Sequence, residues 1–598
     1  MVDWIRLYAI PTANDDGSQA ASVSAQHLQQ VLKDINDVYR AANIQFIFDP
    51  ATDLALVHRS TLLNHDCTLA PDADLNSPPD KEPKCDYAPH TAERNRVARQ
   101  YLDRLVLYFS SGDRPKYNEE KKKWEFVPRN FFFSNGEDSY VAMTSGNATG
   151  LKLAHEIGHY LHLDHPFSYL PKTVDEAIRN IRDYVEKEGH PKEQGQNVFD
   201  GDIDTVSDTP PDPGPDLFRS EGKNDCDINQ GILTLTVNFS DGSLRNYNLQ
   251  PDRENIMNYW DNTCRGLPAR LSTGQAARVR NGLEQGNRNP LIAPRVVFDG
   301  IWEPTNFKQT RVLGWSQQDF AVRFDKELAQ SRHVVHMQAY NISNGEIRRN
   351  GVWEAGDKGQ SRALGWSFDD FVARMKQELA KGKHLVHMQA FDIGNSQIRW
   401  DGVWEFGNTG QSWVMGWSQD DFAQRFNDEL AKGRHFIHMQ AYNIGNGQIR
   451  RDGVWEAGDK GQSRALGWSQ NDFAQRFNDE LAKGKHVVHM QAYDIGNGQI
   501  RWDGVWEAGD KGQTRAIGWA FNDFVIRLEK EWTANRHLVH MQAYDMGNGE
   551  IRWDGVWEPG NTGQARALGF TLDDFAVRFD RELAEGRHVL QMQAYLWK

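Results

Sequence analysis

The chain has no cysteine beyond residue 264, no long apolar run and no surplus of positive charge. Each absence excludes something. Without cysteines, no disulfide framework runs through the C-terminal half. No apolar stretch approaches the ~18 residues of a membrane helix. A formal charge of −15 argues against a nucleic-acid or anionic-membrane partner, because a phosphate-binding surface needs an excess of Lys and Arg. The opening residues, Met1 to Arg6, show no basic segment followed by an apolar one and do not read as a signal peptide. The expectation is a mature form with an added Met, or export by another route. At 598 residues the chain is too long for one core and predicts several domains. The four cysteines allow three pairings. Cys67–Cys85, closing a Pro- and Asp-rich loop, and Cys226–Cys264 are favoured over free thiols in a cytosolic protein. Both pairs imply an oxidising compartment, hence a secreted or extracellular protein.

What is present is one dense stretch, residues 155–165, reading HEIGHYLHLDH after an apolar lead-in of Leu151, Leu153 and Ala154. That pattern predicts a buried helix. On it His155 and His159 lie one turn apart on the same face, where both imidazoles can bind one zinc, with Glu156 beside them to take a proton from water. His162 would share the face of a continuing helix, but about 10.5 Å along the axis at 1.5 Å per residue. Zn–N bonds of about 2.0–2.1 Å cannot span that gap. His165 swings back only if the helix stops near His162, and such a reversal calls for a left-handed residue, a conformation in which His is enriched among non-glycine types. The spacing predicts His155, His159 and His165 as ligands and His162 as the turn. Histidines placed for packing alone are one alternative. A zinc site completed by a carboxylate on a later helix is another, with Glu176 as its candidate.

In chain order, residues 5–10 alternate like a strand, and Leu28, Val31, Ile35, Val38 and Tyr39 mark an amphipathic helix over 24–42. Residues 44–48, 105–110 and 140–143 read as further strands, and 66–89 as loop, which together make an α/β unit. A helix over 174–187 follows the histidines. The loop over 200–210 then carries carboxylates at alternate positions with a Gly, which suits a hard cation such as Ca²⁺, an ordinary Asp-rich turn being the equal alternative. Met257 lies in a tight turn, Asn255-Ile256-Met257-Asn258-Tyr259. Such a Met is usually core, but downstream of three histidines it is the second mark of one zinc class.

Residues 155–165, the run Asp204-Thr205-Val206-Ser207-Asp208-Thr209-Pro210, the Met257 turn and Leu271-Ser272-Thr273-Gly274-Gln275 occur in this order. Together they resemble the pappalysin family of metzincin zinc metallopeptidases, over about residues 1–290. The resemblance implies an α/β (α+β), two-lobed metzincin catalytic domain with Met257 beneath the zinc and calcium at the loop of Asp204, Val206 and Thr209. It implies that Tyr259 reaches the metal or the developing oxyanion. The activity implied is hydrolysis of peptide bonds in a protein or peptide substrate, with Glu156 acting first as base and then as acid. His162 stands where the family has Gly, which bears on the turn and not on the ligand set.

The C-terminal half is one unit repeated. Trp302, Trp353, Trp404, Trp455, Trp506 and Trp557, each followed by Glu, recur every 51 residues, as do Trp315, Trp366, Trp417, Trp468, Trp519 and Phe570. A unit reads as a helix capped by Ser316, with Asp319 in its first turn and Phe320, Phe324 and Leu328 as its buried stripe, followed by a hairpin over 334–354. The array, residues 296–598, opens with a lone return strand and closes with a lone outgoing strand. Pairing them removes two exposed edges. This predicts a repeat domain of six helix–β-hairpin units closed into a ring and joined to the first domain through residues 287–295. His336, His387, His438, His489 and His540 share one strand position, with Gln591 in the sixth copy, and packing between repeats is their expected role. The tryptophans are expected in the core, except Trp400, Trp502 and Trp553. Their equivalents Arg349 and Arg451 are charged, so that position is expected at the surface, open to a carbohydrate or cell-surface ligand. Similar tandem modules accompany secreted hydrolases of bacteria and fungi, which casts the array as a targeting domain. A different class stays open: a binding or toxin-like protein whose peptidase is narrow or accessory.

Overall fold

Strand Asp3–Ala13 is buried at every position but Tyr8. Both of its faces are covered, so its sequence is apolar almost throughout rather than strictly alternating. It pairs in parallel with Ile44–Ile47 on one side and Arg104–Ser110 on the other. Tyr140–Thr144 adds a fourth parallel strand and Phe132–Phe133 an antiparallel fifth. Arg6, inside this sheet, is neutralised by Asp53 at 2.7 Å. Helix Ala25–Tyr39 begins where the Ser24 hydroxyl accepts from the His27 N–H, and it buries Leu28, Val31, Leu32, Ile35, Val38 and Tyr39. Tyr39 donates its hydroxyl to the Ala154 carbonyl at 2.8 Å, which fixes this helix to the next one, Gly150–Tyr160.

The computed structural model describes the chain apart from residues 1–2, 71–72, 112, 129–131, 134–137, 146–147, 168, 200–205, 207, 221–231, 261–268, 286–287, 294, 306–307, 344–345, 395, 408, 548 and 598. The chain divides into two compact units, Val2–Ala293 and Pro294–Lys598. The first contains two large apolar clusters. One joins the parallel sheet to helices Ala25–Tyr39 and Gly150–Tyr160. The other gathers Ala177, Ile181 and Val185 of helix Val174–Glu186 with the hairpin Leu233–Asn238/Leu244–Leu249 and Trp260. Cys67 and Cys85 form a disulfide, with Cα atoms 5.5 Å apart. Cys226 and Cys264 lie outside the described residues. The stretch expected as a linker is in part core: Leu291 is buried, and Arg288 stacks over Tyr160 at 3.7 Å. Among the described residues no helix is long and apolar enough to cross a membrane.

The second unit is mixed α/β, built of repeated three-stranded sheets, each with a helix. The unit is larger than a helix–hairpin. Gln309–Trp315, the strand before the helix, pairs with the return strand Glu346–Ala355, which thereby lies between it and Arg332–Ser343. The sixth sheet draws on both ends of the array: Arg295–Pro304 lies between Ala565–Phe570 and Arg587–Trp597. A glutamine links each outgoing strand to its neighbour. Ala339, Ala390, Ala441, Ala492 and Ala543 donate their N–H groups to Gln389, Gln440, Gln491, Gln542 and Gln593, at 2.6–2.9 Å. Ala594 returns the link to Gln338 at 2.6 Å.

Two expectations about tryptophan are corrected. Trp400, Trp502 and Trp553 are buried, as are Arg349 and Arg451 at the same position. Each donates to a buried aspartate one repeat on. Arg349 pairs with Asp401 and Arg451 with Asp503, both at 2.7 Å, while the Trp400 and Trp502 indoles reach Asp452 and Asp554 at 2.8 and 2.7 Å. Trp553 reaches Asp299 at 3.0 Å. The remaining member of the position, Phe298, donates nothing, and the residue 52 further on is the neutral Asn350. A buried carboxylate thus stands wherever a side-chain donor from the preceding repeat meets it. Conversely, Trp315, Trp417 and Trp468 are exposed at 36–38% and not core.

Candidate metal centre

Helix Gly150–Tyr160 starts at Thr149, whose hydroxyl accepts from the Lys152 N–H, and it buries Leu153, Ala154, His155, Glu156 and Ile157. It ends at Tyr160, two residues before His162 would extend its face. The Leu161 and Leu163 N–H groups both return to the Gly158 carbonyl, at 3.0 and 2.9 Å, and His162 takes φ = 68°. A left-handed residue just past the last turn is the ordinary way to close a helix, normally with glycine. The Arg278 guanidinium donates to the His162 carbonyl at 2.6 Å and holds the reversal.

The reversal brings three imidazoles together. Nε2 of His165 lies 3.2 Å from Nε2 of His155 and 3.2 Å from Nε2 of His159. The far nitrogens of the first two are occupied: Nδ1 of His155 is 2.7 Å from the Ile256 carbonyl and Nδ1 of His159 is 2.7 Å from the Leu163 carbonyl. A carbonyl only accepts, so both Nδ1 atoms carry the proton and both Nε2 atoms present lone pairs. Burial lowers the pKa of His155 and His165 to about 3 and lowers that of His159, so the imidazoles stay neutral. Two ligands at 2.0–2.1 Å in a tetrahedron are separated by about 3.3 Å. The donor set and its spacing fit a zinc ion, and this is the single three-residue group among the described residues able to hold a metal.

Glu156 is buried beside them, and burial raises its pKa to about 8. Met257 is fully buried, and a Cβ added at Gly158 would come within 2.3 Å of its sulfur. Only a glycine lets this Met lie against the histidine helix. The turn itself is fixed by side chains: Asn255 accepts from the Met257 N–H and Asn258 from the Trp260 N–H, both at 2.9 Å. Ile256 and Met257 belong to one apolar cluster and Trp260 to the other, so this turn spans both cores. Tyr259, between them, is 38% exposed, with its ring 5.0 Å from His165 and 5.8 Å from His155.

Other sequence candidates fall elsewhere. Glu176 is not part of the cluster. Its carboxylate accepts from the Tyr169 hydroxyl and, at 2.9 Å, from the Lys172 N–H at the start of helix Val174–Glu186, so the carboxylate-ligand alternative is dropped. Of the calcium loop, Asp204 and residues 200–203 lie outside the described residues. Thr209 donates to the Val206 carbonyl at 2.8 Å, and Asp208 accepts from the Ser272 hydroxyl and the Gly274 N–H at 2.8 Å. That carboxylate therefore caps helix Thr273–Gln285. Sequence reasoning missed Phe167, stacked on His165 at 4.6 Å and set 4.9 Å from Tyr259. Its position two residues past the last ligand was the available signal.

In comparisons with known proteins, residues 313–356, 411–457 and 466–509 match the family model of a polyglycine hydrolase-like structural repeat, while residues 1–290 are left unmatched. Tandem repeats are therefore established, in a context that hints at hydrolases. A search of curated proteins gave no match.

Proposed function

We propose that Val2–Ala293 is a zinc metalloendopeptidase of pappalysin-like, metzincin type, acting on a protein or peptide substrate. The observation that carries this reading is the convergence of three imidazole Nε2 atoms at 3.2 Å, with two of the opposite nitrogens already committed to carbonyls. His155 and His159 aim two uncharged lone pairs at the point where His165 Nε2 joins them, the arrangement a bound cation calls for. When bound there, zinc supplies Lewis acidity to the attacking water and the scissile carbonyl. Glu156 receives the proton of that water and passes it to the departing amine. Tyr259 presents its hydroxyl to the developing oxyanion. Calcium at the loop of Asp204, Val206 and Thr209 belongs to the same reading, as does secretion, which the Cys67–Cys85 disulfide supports.

The second unit is, on this reading, a closed ring of six units that targets the enzyme to substrate or surface. Support comes from the pairing of its first and last strands and from the glutamine links that return to Gln338. The test of the peptidase is Glu156→Gln. It should keep zinc and fold while losing cleavage of a random peptide library by at least about 100-fold, the scale of a lost general base. Unchanged cleavage would sink the assignment. Silence of the wild type toward the library, with tight binding to one ligand, would favour the binding or toxin-like reading.

A further inference from the structure

Each repeat carries two tryptophans with opposite fates. Trp353 and its equivalents are fully buried, against Phe320 at 5.6 Å in the first repeat. Trp315 and its equivalents sit where the first strand meets the helix and are half-exposed. The equivalent ring is partly covered by the helix arginine, with Arg374, Arg476 and Arg527 5.9 Å from the ring centroids of Trp366, Trp468 and Trp519, and the rest of its surface is left open. Exposed aromatics that recur in this way mark recognition.

A surface groove accompanies the exposed indole. In the first repeat a groove of 490 Å³ is lined by Trp315, the cap pair Ser316 and Asp319, Arg323 of the helix and Arg348 of the return strand. In the second, 640 Å³ are lined by Trp366, Ser367, Asp370, Arg374 and Arg399, the same positions 51 residues on. These volumes fall in the range of small-ligand sites, ~300–1,000 Å³.

The sixth repeat separates architecture from recognition. The cap aspartate persists there as Asp574, whose N–H donates to the Thr571 hydroxyl at 3.3 Å, and the helix arginine persists as Arg578, bound to Glu582 at 2.7 Å. The arginine keeps its glutamate in all six copies, and the aspartate N–H is capped by a hydroxyl in all but the fifth, where Ala520 stands. The exposed Trp and the strand Arg do not persist: Phe570 and Val297 stand in their places, and both are buried. Two residues that line one groove and vanish together behave as parts of one site.

The chemistry of the groove narrows the ligand. A flat indole offers a stacking face for the axial C–H groups of a pyranose, and a guanidinium with a carboxylate beside it offers paired donors and acceptors for ring hydroxyls. Each groove carries Asp beside Arg, and the chain is acidic by 15 charges, which opposes a polyanion. We propose that the first five repeats each hold a carbohydrate-binding groove, with Trp315, Trp366, Trp417, Trp468 or Trp519 as the stacking platform and the neighbouring strand arginine and cap aspartate as hydroxyl partners, so that the array binds a neutral polysaccharide multivalently. This rests on the reading of the array as a targeting region, and it is independent of any cleavage at the histidine cluster.

Native gel electrophoresis of the full chain through gels holding laminarin, hydroxyethyl cellulose, glycol chitin or heparin tests it. The Glu156→Gln variant should migrate as the wild type does, which keeps the readout apart from catalysis. At least one neutral polymer should retard the protein. A single Trp315→Ala or Arg399→Ala should weaken retardation modestly, because about 1 kcal/mol of stacking is about 5-fold in one site's affinity. Replacing all five tryptophans by Ala should abolish it through lost avidity, while far-ultraviolet circular dichroism shows the array still folded. Equal retardation of the five-Ala variant, retardation by heparin alone, or no retardation by any neutral polymer would overturn the proposal.

Discussion

Both units bury imidazoles and dispose of them differently. In Val2–Ala293, three Nε2 atoms meet at 3.2 Å on one helix and the turn after it. In Pro294–Lys598, His336, His387, His438, His489 and His540 are also buried, with pKa values lowered to about 3–4, yet each Nε2 stands alone and no three of them come within a metal's reach. The carboxylates differ in the same way. Glu156 is raised by burial alone, with no hydrogen-bond donor lowering it, whereas each buried aspartate of the array is held by donors of its own and the preceding repeat. Where a repeat supports its neighbours, buried carboxylates are handed partners at a fixed spacing. Where chemistry is prepared, lone pairs are gathered and left for something else to satisfy.

The comparison breaks most sharply at the histidines. His165→Ala should drop bound zinc from one per chain to near none, measured by metal analysis after dialysis, while His387→Ala should leave zinc content unchanged and only loosen the array. Equal losses in both variants would erase the distinction. Next in size is the buried pair of Arg349 and Asp401, both fully buried. Arg349→Phe should cost about 3–5 kcal/mol in denaturant unfolding, since it strands a buried carboxylate. Adding Asp401→Asn should restore most of that, because the pair then copies Phe298 and Asn350. A double variant no more stable than the single one would show that the two positions are not coupled. The smallest effect is one of pH. Asp554 has no arginine; it accepts from Gly518, Trp502 and Tyr544, and burial raises its pKa from 3.8 to about 7. The folded array therefore holds a proton that the unfolded chain releases, so this contribution is full below about pH 4 and is lost as pH rises through 7. Asp554→Asn should flatten the fall of the array's melting temperature between pH 5 and 8, by an amount on the order of a few degrees. An unaltered slope would place the titration elsewhere.

Much of this was legible because it is local. The stop of the helix before His162 follows from residues within one turn, and the 51-residue period needs only self-comparison. The third strand of each repeat, Gln309–Trp315 in the first, was not, because a strand running into Gly314-Trp315 and a helix cap shows no turn signal of its own. Trp400 was misplaced at the surface for an instructive reason. An arginine at the equivalent position suggests solvent, but Arg349 answers a carboxylate 52 residues away, and local pattern holds no trace of that partner. Gly158, too, gave no hint that its missing side chain makes room for a sulfur a hundred residues later.

The sheet assembled from Arg295–Pro304 between Ala565–Phe570 and Arg587–Trp597 has a consequence for biosynthesis. A nascent chain can form five repeats as they emerge, but strand Arg295–Pro304 must wait, unpaired, through some 260 residues of synthesis for its neighbours. The last dozen residues act as a latch: clipping them should release not one repeat but the seam that ties the first to the last.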